Sequence, residues 1–193
     1  MEEIVRRVFN ENRRITGSFI KENSSQLMKC ADYISKALSI NRKLMLCGNG
    51  GSAADAQHIA AEFVNRFLIE RHPLAAIALT TDTSIITSIA NDYSYEEVFS
   101  KQIQALGVEG DILLAISTSG NSNNILSAIR TAKAKGLYTI GLIGGDGGKM
   151  LALVDLPLVV ESNETPRVQE THILAGHLIC ELVEYILFRK GFS

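Results

Sequence analysis

At 193 residues, 46% apolar and 21% charged, the chain has room for one domain with a sizeable core and is far from a disordered composition. Nineteen basic against 21 acidic residues leave a formal net charge of −2, which argues against general binding to nucleic acid or to an anionic membrane. No apolar run reaches the roughly 18 residues that a membrane helix needs, and the acidic start Met1-Glu2-Glu3 is not a signal peptide.

The first 40 residues read as helix. Ile4, Val8, Ile15 and Phe19 share one spacing, and Leu27, Ala31, Ile34 and Leu38 resume it after a weak point at Gly17-Ser18. The arginine pairs 6–7 and 13–14 fall on the other, solvated face. From Lys43 the pattern changes to short apolar runs: Leu44–Cys47, Ala75–Leu79, Ile112–Ile116, Thr139–Ile143 and Leu156–Val160. Runs apolar at consecutive positions suit strands covered on both faces, as in a parallel sheet. Between them lie predicted helices at about 53–68, 83–106 (broken near Asn91), 122–135 and 147–153, and a last helix covers about 164–189. Gly107 and Gly136 stand where helices need C-caps. The alternation predicts an α/β fold: a three-layer, doubly wound, five-stranded parallel sheet of flavodoxin-like type, with long N- and C-terminal helices, in a single domain 1–193. Cys30, Cys47 and Cys180 are odd in number, far apart and lack C-x-x-C, so a disulfide framework and a cysteine zinc site fall away and a reducing, cytoplasmic setting is expected.

Ligands of open parallel sheets bind where strands run into helices, so the chemistry-bearing loops are the ones after the strands. Cys47-Gly48-Asn49-Gly50-Gly51-Ser52 lets the backbone come close to a ligand. The acidic residue that a dinucleotide site wants after the second strand is missing, so no nucleotide cofactor is expected. In Ser117-Thr118-Ser119-Gly120-Asn121-Ser122, hydroxyls meet a helix N-terminus, a phosphate cradle that needs no lysine. The helix after the first loop carries His58 and Glu62 at i, i+4, the spacing of an acid–base pair or of two ligands to one metal ion. Its apolar neighbours predict that Glu62 is buried and in need of a partner. On the last helix Gln169 could converge on the same crevice with a histidine, and the spacing does not choose between His172 and His177.

These segments together give the chain a close resemblance to the sugar isomerase (SIS) domain proteins, and within them to the phosphoheptose isomerase family. The matching stretches are CGNGGSAADAQHIAAEFVNRF at 47–67, ALTTDTSIITSIANDYSYEEVFSKQ at 78–102, ISTSGNS at 116–122, and RVQETH with a later histidine at 167–177. The resemblance implies isomerisation of sedoheptulose 7-phosphate to D-glycero-D-manno-heptose 7-phosphate through an enediol, the first step of nucleotide-activated heptose synthesis for lipopolysaccharide or other surface glycans. It implies Glu62 and His177 as the catalytic pair. It further implies substrate contacts at Asn49, Gly50, Gly51, Ser52, Glu62, Asn91, Asp92 and Gln169, with phosphate held by Ser117, Thr118, Ser119 and Ser122. One zinc per subunit on His58, Glu62, Gln169 and His177 is implied as well, and so is a homotetramer in which the 1–40 segment packs on the domain and between subunits. Neither nucleic acid nor membrane is an expected partner. The resemblance also extends to a replication-initiator-associating protein that binds rather than catalyses. That relative lacks the carboxylate and the imidazole at the positions of Glu62 and His177, and both are present here. A sugar-phosphate-sensing module of a transcription regulator would bring a DNA-binding domain, for which 193 residues leave no room.

Overall fold

The computed structural model describes residues 1–189. Positions 190–193 of the expected 1–193 domain lie outside the described residues. Five strands, β1 (Leu44–Gly48), β2 (Ala76–Ala78), β3 (Ile112–Ser117), β4 (Tyr138–Gly144) and β5 (Leu156–Val160), form one parallel sheet in the order β2-β1-β3-β4-β5. The helices are α1 (Glu2–Ser39), α2 (Gly51–Val64), α3 (Thr83–Asp92), α4 (Ser100–Leu106), α5 (Asn123–Ala134) and α6 (Thr165–Glu184), the last continued by a π-turn at Tyr185–Arg189. Alternate strand residues point into two separate cores, which is what makes the sheet doubly wound. Leu44, Leu46, Leu114, Ile116, Leu142 and Leu158 pack under α1, α2 and α6. Met45, Cys47, Leu113, Ala115 and Ile143 pack under α4 and α5.

Strands β1 and β3 are buried along their whole length, as their consecutive apolar residues predict. At the rims the pattern relaxes. Strand β2 is three residues long with a single buried position, and β5 alternates, its half-buried Pro157 placed on an outermost strand where a missing N–H costs no ladder bond.

The region 147–153 is not an α-helix but a 3-10 turn at Gly148–Met150. Gly145, Gly147 and Gly148 all sit at positive φ (67°, 87° and 50°), a left-handed run from which an α-helix cannot start. The 83–106 stretch does break, into α3, a 3-10 turn at Tyr95–Glu97, and α4. Helix α1 passes Gly17 unbroken; nothing lies within 4 Å of where its Cβ would be, so the glycine faces open space and costs only its propensity, about 1 kcal/mol. The expectation that no segment is apolar enough to cross a membrane needs correction. The helix Thr165–Arg189 is long and apolar enough, and a little under half of its most apolar stretch is buried in the single chain, where it packs on α1, α2 and β4 as a core helix does.

Candidate active site

The strand order reverses between β1 and β3, and the loops leaving those two strands meet there. Asn49 and Ser52 from the first loop, with Ser117, Thr118 and Ser122 from the second, line one recess of about 40 Å³. Asn49 Nδ2 donates to Asn124 Oδ1 (2.9 Å), Asn124 Nδ2 donates back to Asn49 Oδ1 (2.8 Å), and the Tyr95 hydroxyl donates to the same oxygen (3.2 Å). Asn124 and Tyr95 are not among the expected residues, and together they fix the side chain of one that is.

The second loop is held by its own hydroxyls. Ser117 Oγ accepts the Gly120 N–H (3.2 Å) and Ser119 Oγ accepts the Asn121 N–H (3.2 Å). Ser122 is the N-cap residue of α5 but its side chain makes no capping bond, unlike Asp82, which caps α3 by accepting the Ile85 N–H (2.9 Å). Ser122 also lines the recess, beside the positive end of α5. Gly120 is required for two reasons: its φ is +64°, and a Cβ there would overlap the carbonyl oxygen of Gly147.

The second group of candidates lies further along α2. The Nε2 atoms of His58 and His177 are 2.8 Å apart, a hydrogen bond in which one ring donates and the other accepts, and His58 Nε2 is 3.6 Å from Glu62 Oε1. The Phe67 ring stacks on His177, with centroids 5.5 Å apart and planes 21° from parallel. His177 is thus the histidine that reaches the α2 pair. His172 points the other way into the core near Ile143, where burial pushes its imidazole down to about 4. The expectation of a buried Glu62 is corrected in degree: its side chain is 24% exposed in the single chain.

The meeting of the two helices has a simple register. A Cβ on Gly51 would overlap the Gln169 amide, one on Gly176 would come within 2.5 Å of Ile59 Cδ1, and His58 meets His177. Each pair is separated by 117–119 positions in sequence, so α2 and α6 run side by side and parallel, and the missing side chain of Gly176 lets them approach closely enough for the imidazoles to touch.

At 1.5 Å per residue the His58 level lies about 9 Å, and the Glu62 level about 15 Å, along α2 from Ser52. Asn91 and Asp92 are exposed at the end of α3. They hydrogen-bond each other (2.9 Å), and neither hydrogen-bonds another candidate among the described residues. His58, Glu62 and His177 supply two imidazole nitrogens and a carboxylate oxygen, donor types that suit zinc. The fourth expected ligand, Gln169, lies against Gly51, and among the described residues no group of three or more His, Cys, Asp or Glu side chains forms a ready metal cluster.

Asp55 has no expected role, yet its Oδ2 is buried without a hydrogen-bond partner, and burial pushes the carboxyl up to about 6 against the opposing pull of His58. A raised carboxyl contributes stability below its unfolded pKa and loses it as pH rises through the folded one. Asp55→Asn should therefore stabilise the fold at pH 7–8 by about 1 kcal/mol, discounted for partial exposure, and give no gain near pH 4. Urea melts at the two pH values check this.

A SIS-domain family model matches residues 8–144. A phosphoheptose isomerase of Nitratidesulfovibrio vulgaris is 51% identical over 188 residues, covering 97% of this chain and 90% of that one. A second, from Campylobacter jejuni, is 56% identical over 173 residues, 89% of this chain and 86% of that one. Among solved structures, a phosphoheptose isomerase from Neisseria gonorrhoeae superposes with a TM-score of 0.90 at 43% identity, covering 95% of this chain and 98% of that one. One from Francisella tularensis gives 0.91 at 36%, covering 94% and 96%. Sequence, fold and length agree, and the chain belongs to the phosphoheptose isomerase family of SIS-domain enzymes, a family of sugar-phosphate isomerases.

Proposed function

We propose that this isomerase interconverts sedoheptulose 7-phosphate and D-glycero-D-manno-heptose 7-phosphate, with Glu62 and His177 as its acid–base pair. The observation that carries the reading is the convergence of a carboxylate and a hydrogen-bonded imidazole along α2 from a hydroxyl-lined recess. In this reading Ser117, Thr118, Ser119 and Ser122, with the N-terminus of α5, hold the phosphate. Asn49, Gly50, Gly51, Ser52 and Gln169 line the sugar, as do Asn91 and Asp92. Glu62 removes a proton from C1 as O2 takes one from His177, leaving the enediol. Glu62 then returns its proton to C2 while the O1 hydroxyl gives its proton to His177, so both groups end as they began. Phosphate binding far from the reacting carbons supplies the positioning energy. The test is a product assay on sedoheptulose 7-phosphate beside fructose 6-phosphate and ribulose 5-phosphate. Turnover confined to the heptose is expected, and turnover of a shorter sugar in its place would reject the assignment.

The apolar surface left exposed at Ile4, Val5 and Phe9 of α1 favours a site completed by a second chain. A homotetramer is the proposed assembly: light scattering should give about 84 kDa, four times 21.0 kDa, and a mass of one chain would refute it. Zinc, when bound to His58, Glu62, Gln169 and His177, would polarise the substrate oxygens. One zinc per chain should be retained after loading and dialysis and lost in His58→Ala. Equal retention in both would remove His58 from the ligand set.

A further inference from the structure

We propose that the buried Arg71–Glu184 pair is a positioning device for the reaction, setting Glu62 and His177 against each other from below. The inference rests on the acid–base reading of those two residues. Both side chains are almost fully enclosed (2% and 3% exposed), and Arg71 Nε donates to Glu184 Oε1 at 2.9 Å. What they hold is specific. The rest of the guanidinium donates to the last carbonyls of α2, through Nη2 to Glu62 O (2.8 Å) and through Nη1 to Phe63 O (2.8 Å). It thereby closes the C-terminus of the helix that carries Glu62, where a cation also matches the helix dipole. The carboxylate of Glu184 accepts the N–H groups of Phe67 (2.9 Å) and Leu68 (3.0 Å), which turns the chain leaving α2 so that the Phe67 ring lies on His177.

Glu184 stands seven residues, two turns, beyond His177 on α6, so it continues the same parallel register as Gly51–Gln169 and His58–His177. Burial alone would push the Glu184 carboxyl up. The donors from Phe67, Leu68 and Arg71 outweigh it and hold the group below the usual carboxylate range, so it stays charged. One ion pair thus fixes the backbone of Glu62, the ring against His177, and the offset between the two helices. A buried pair is weak evidence of a stabilising purpose by itself. This one spends its hydrogen bonds on the backbone and ring that carry the acid–base pair.

The test compares Arg71→Lys, which keeps the charge but loses the fork, with Glu184→Gln and Phe67→Leu, each in the full-length assembly. In Arg71→Lys and Glu184→Gln, kcat should fall about 10- to 100-fold, since misplacing a reacting group by an ångström can cost that much. KM for sedoheptulose 7-phosphate should stay within about threefold because the Ser117–Ser122 loop is untouched. The His177 ring proton resonances should shift as Phe67 leaves, while those of His172 stay put. Phe67→Leu leaves the ion pair intact and should lower kcat severalfold, so it decides the matter if the other two variants do not fold. A lowered melting temperature with parental kcat and unmoved His177 resonances would reduce the pair to a structural staple and overturn the proposal. Glu62→Gln, assayed beside them, keeps the two claims apart. If it is inactive while Arg71→Lys is fully active, only the positioning claim fails; if it is itself fully active, the acid–base reading fails.

Discussion

Glu62→Gln should lower kcat for heptose 7-phosphate isomerisation by about 10²–10⁴ while KM changes little, because the amide keeps the size of the carboxylate and removes its capacity to carry a proton. The amide keeps the shape of a partly exposed side chain, so the substitution should leave the melting temperature within a few degrees of the parent. His177→Asn should reach a similar loss in rate with a somewhat larger thermal cost, since it also removes the partner of the His58 hydrogen bond and of the Phe67 stack. Steady-state kinetics on both variants check the pair. A kcat near the parent value in either would remove that residue from proton transfer.

Gly120→Ala should act on the other end of the substrate. A side chain at φ +64° costs about 1–3 kcal/mol in strain, and the new methyl would collide with the Gly147 backbone, which cannot swing aside as a long side chain would. Two anchors of the loop would be disturbed at once, the bond from Gly120 N–H to Ser117 Oγ and the one from Met150 N–H to Gly120 O. KM should rise at least about tenfold, with kcat at saturation affected less, the reverse of the Glu62 pattern. Parental KM in a folded Gly120→Ala protein would separate this loop from the phosphate.

Much of the scaffold was legible because consecutive apolar residues and flanking glycines are local signals. The strand runs at Leu44, Ile112 and Thr139, the break near Asn91 and the two loops at the switch point all follow from them. The 147–153 stretch reads as helix because Lys149–Leu153 carries helix formers, while the positive φ values of Gly145, Gly147 and Gly148 decide the outcome. Spacing also put His58 and Glu62 on one face without saying which α6 histidine they meet. The close approach at Gly176 makes it His177 and leaves His172 inside the core. Arg71 and Glu184 carry no local signal: they lie 113 positions apart, and each alone reads as a solvated charge. Tyr95 and Asn124 escaped for the same reason, since their link to Asn49 exists only once the β1 and β3 loops are adjacent.

The transfer of a proton from C1 at Glu62 is the step on which the account stands, and deuterium at that carbon reads it out directly. Sedoheptulose 7-phosphate carrying two deuterons on C1 is incubated with the parent protein and with Glu62→Gln, and the sugar phosphates are followed by deuterium NMR. The account predicts that the parent yields an aldose with one deuteron left on C1 and the other divided between C2 and, by exchange at the Glu62 carboxyl, water, while the variant returns ketose with both on C1. Ketose recovered from the parent with both deuterons in place and no aldose formed, or loss of one deuteron in Glu62→Gln at the parental rate, would contradict it.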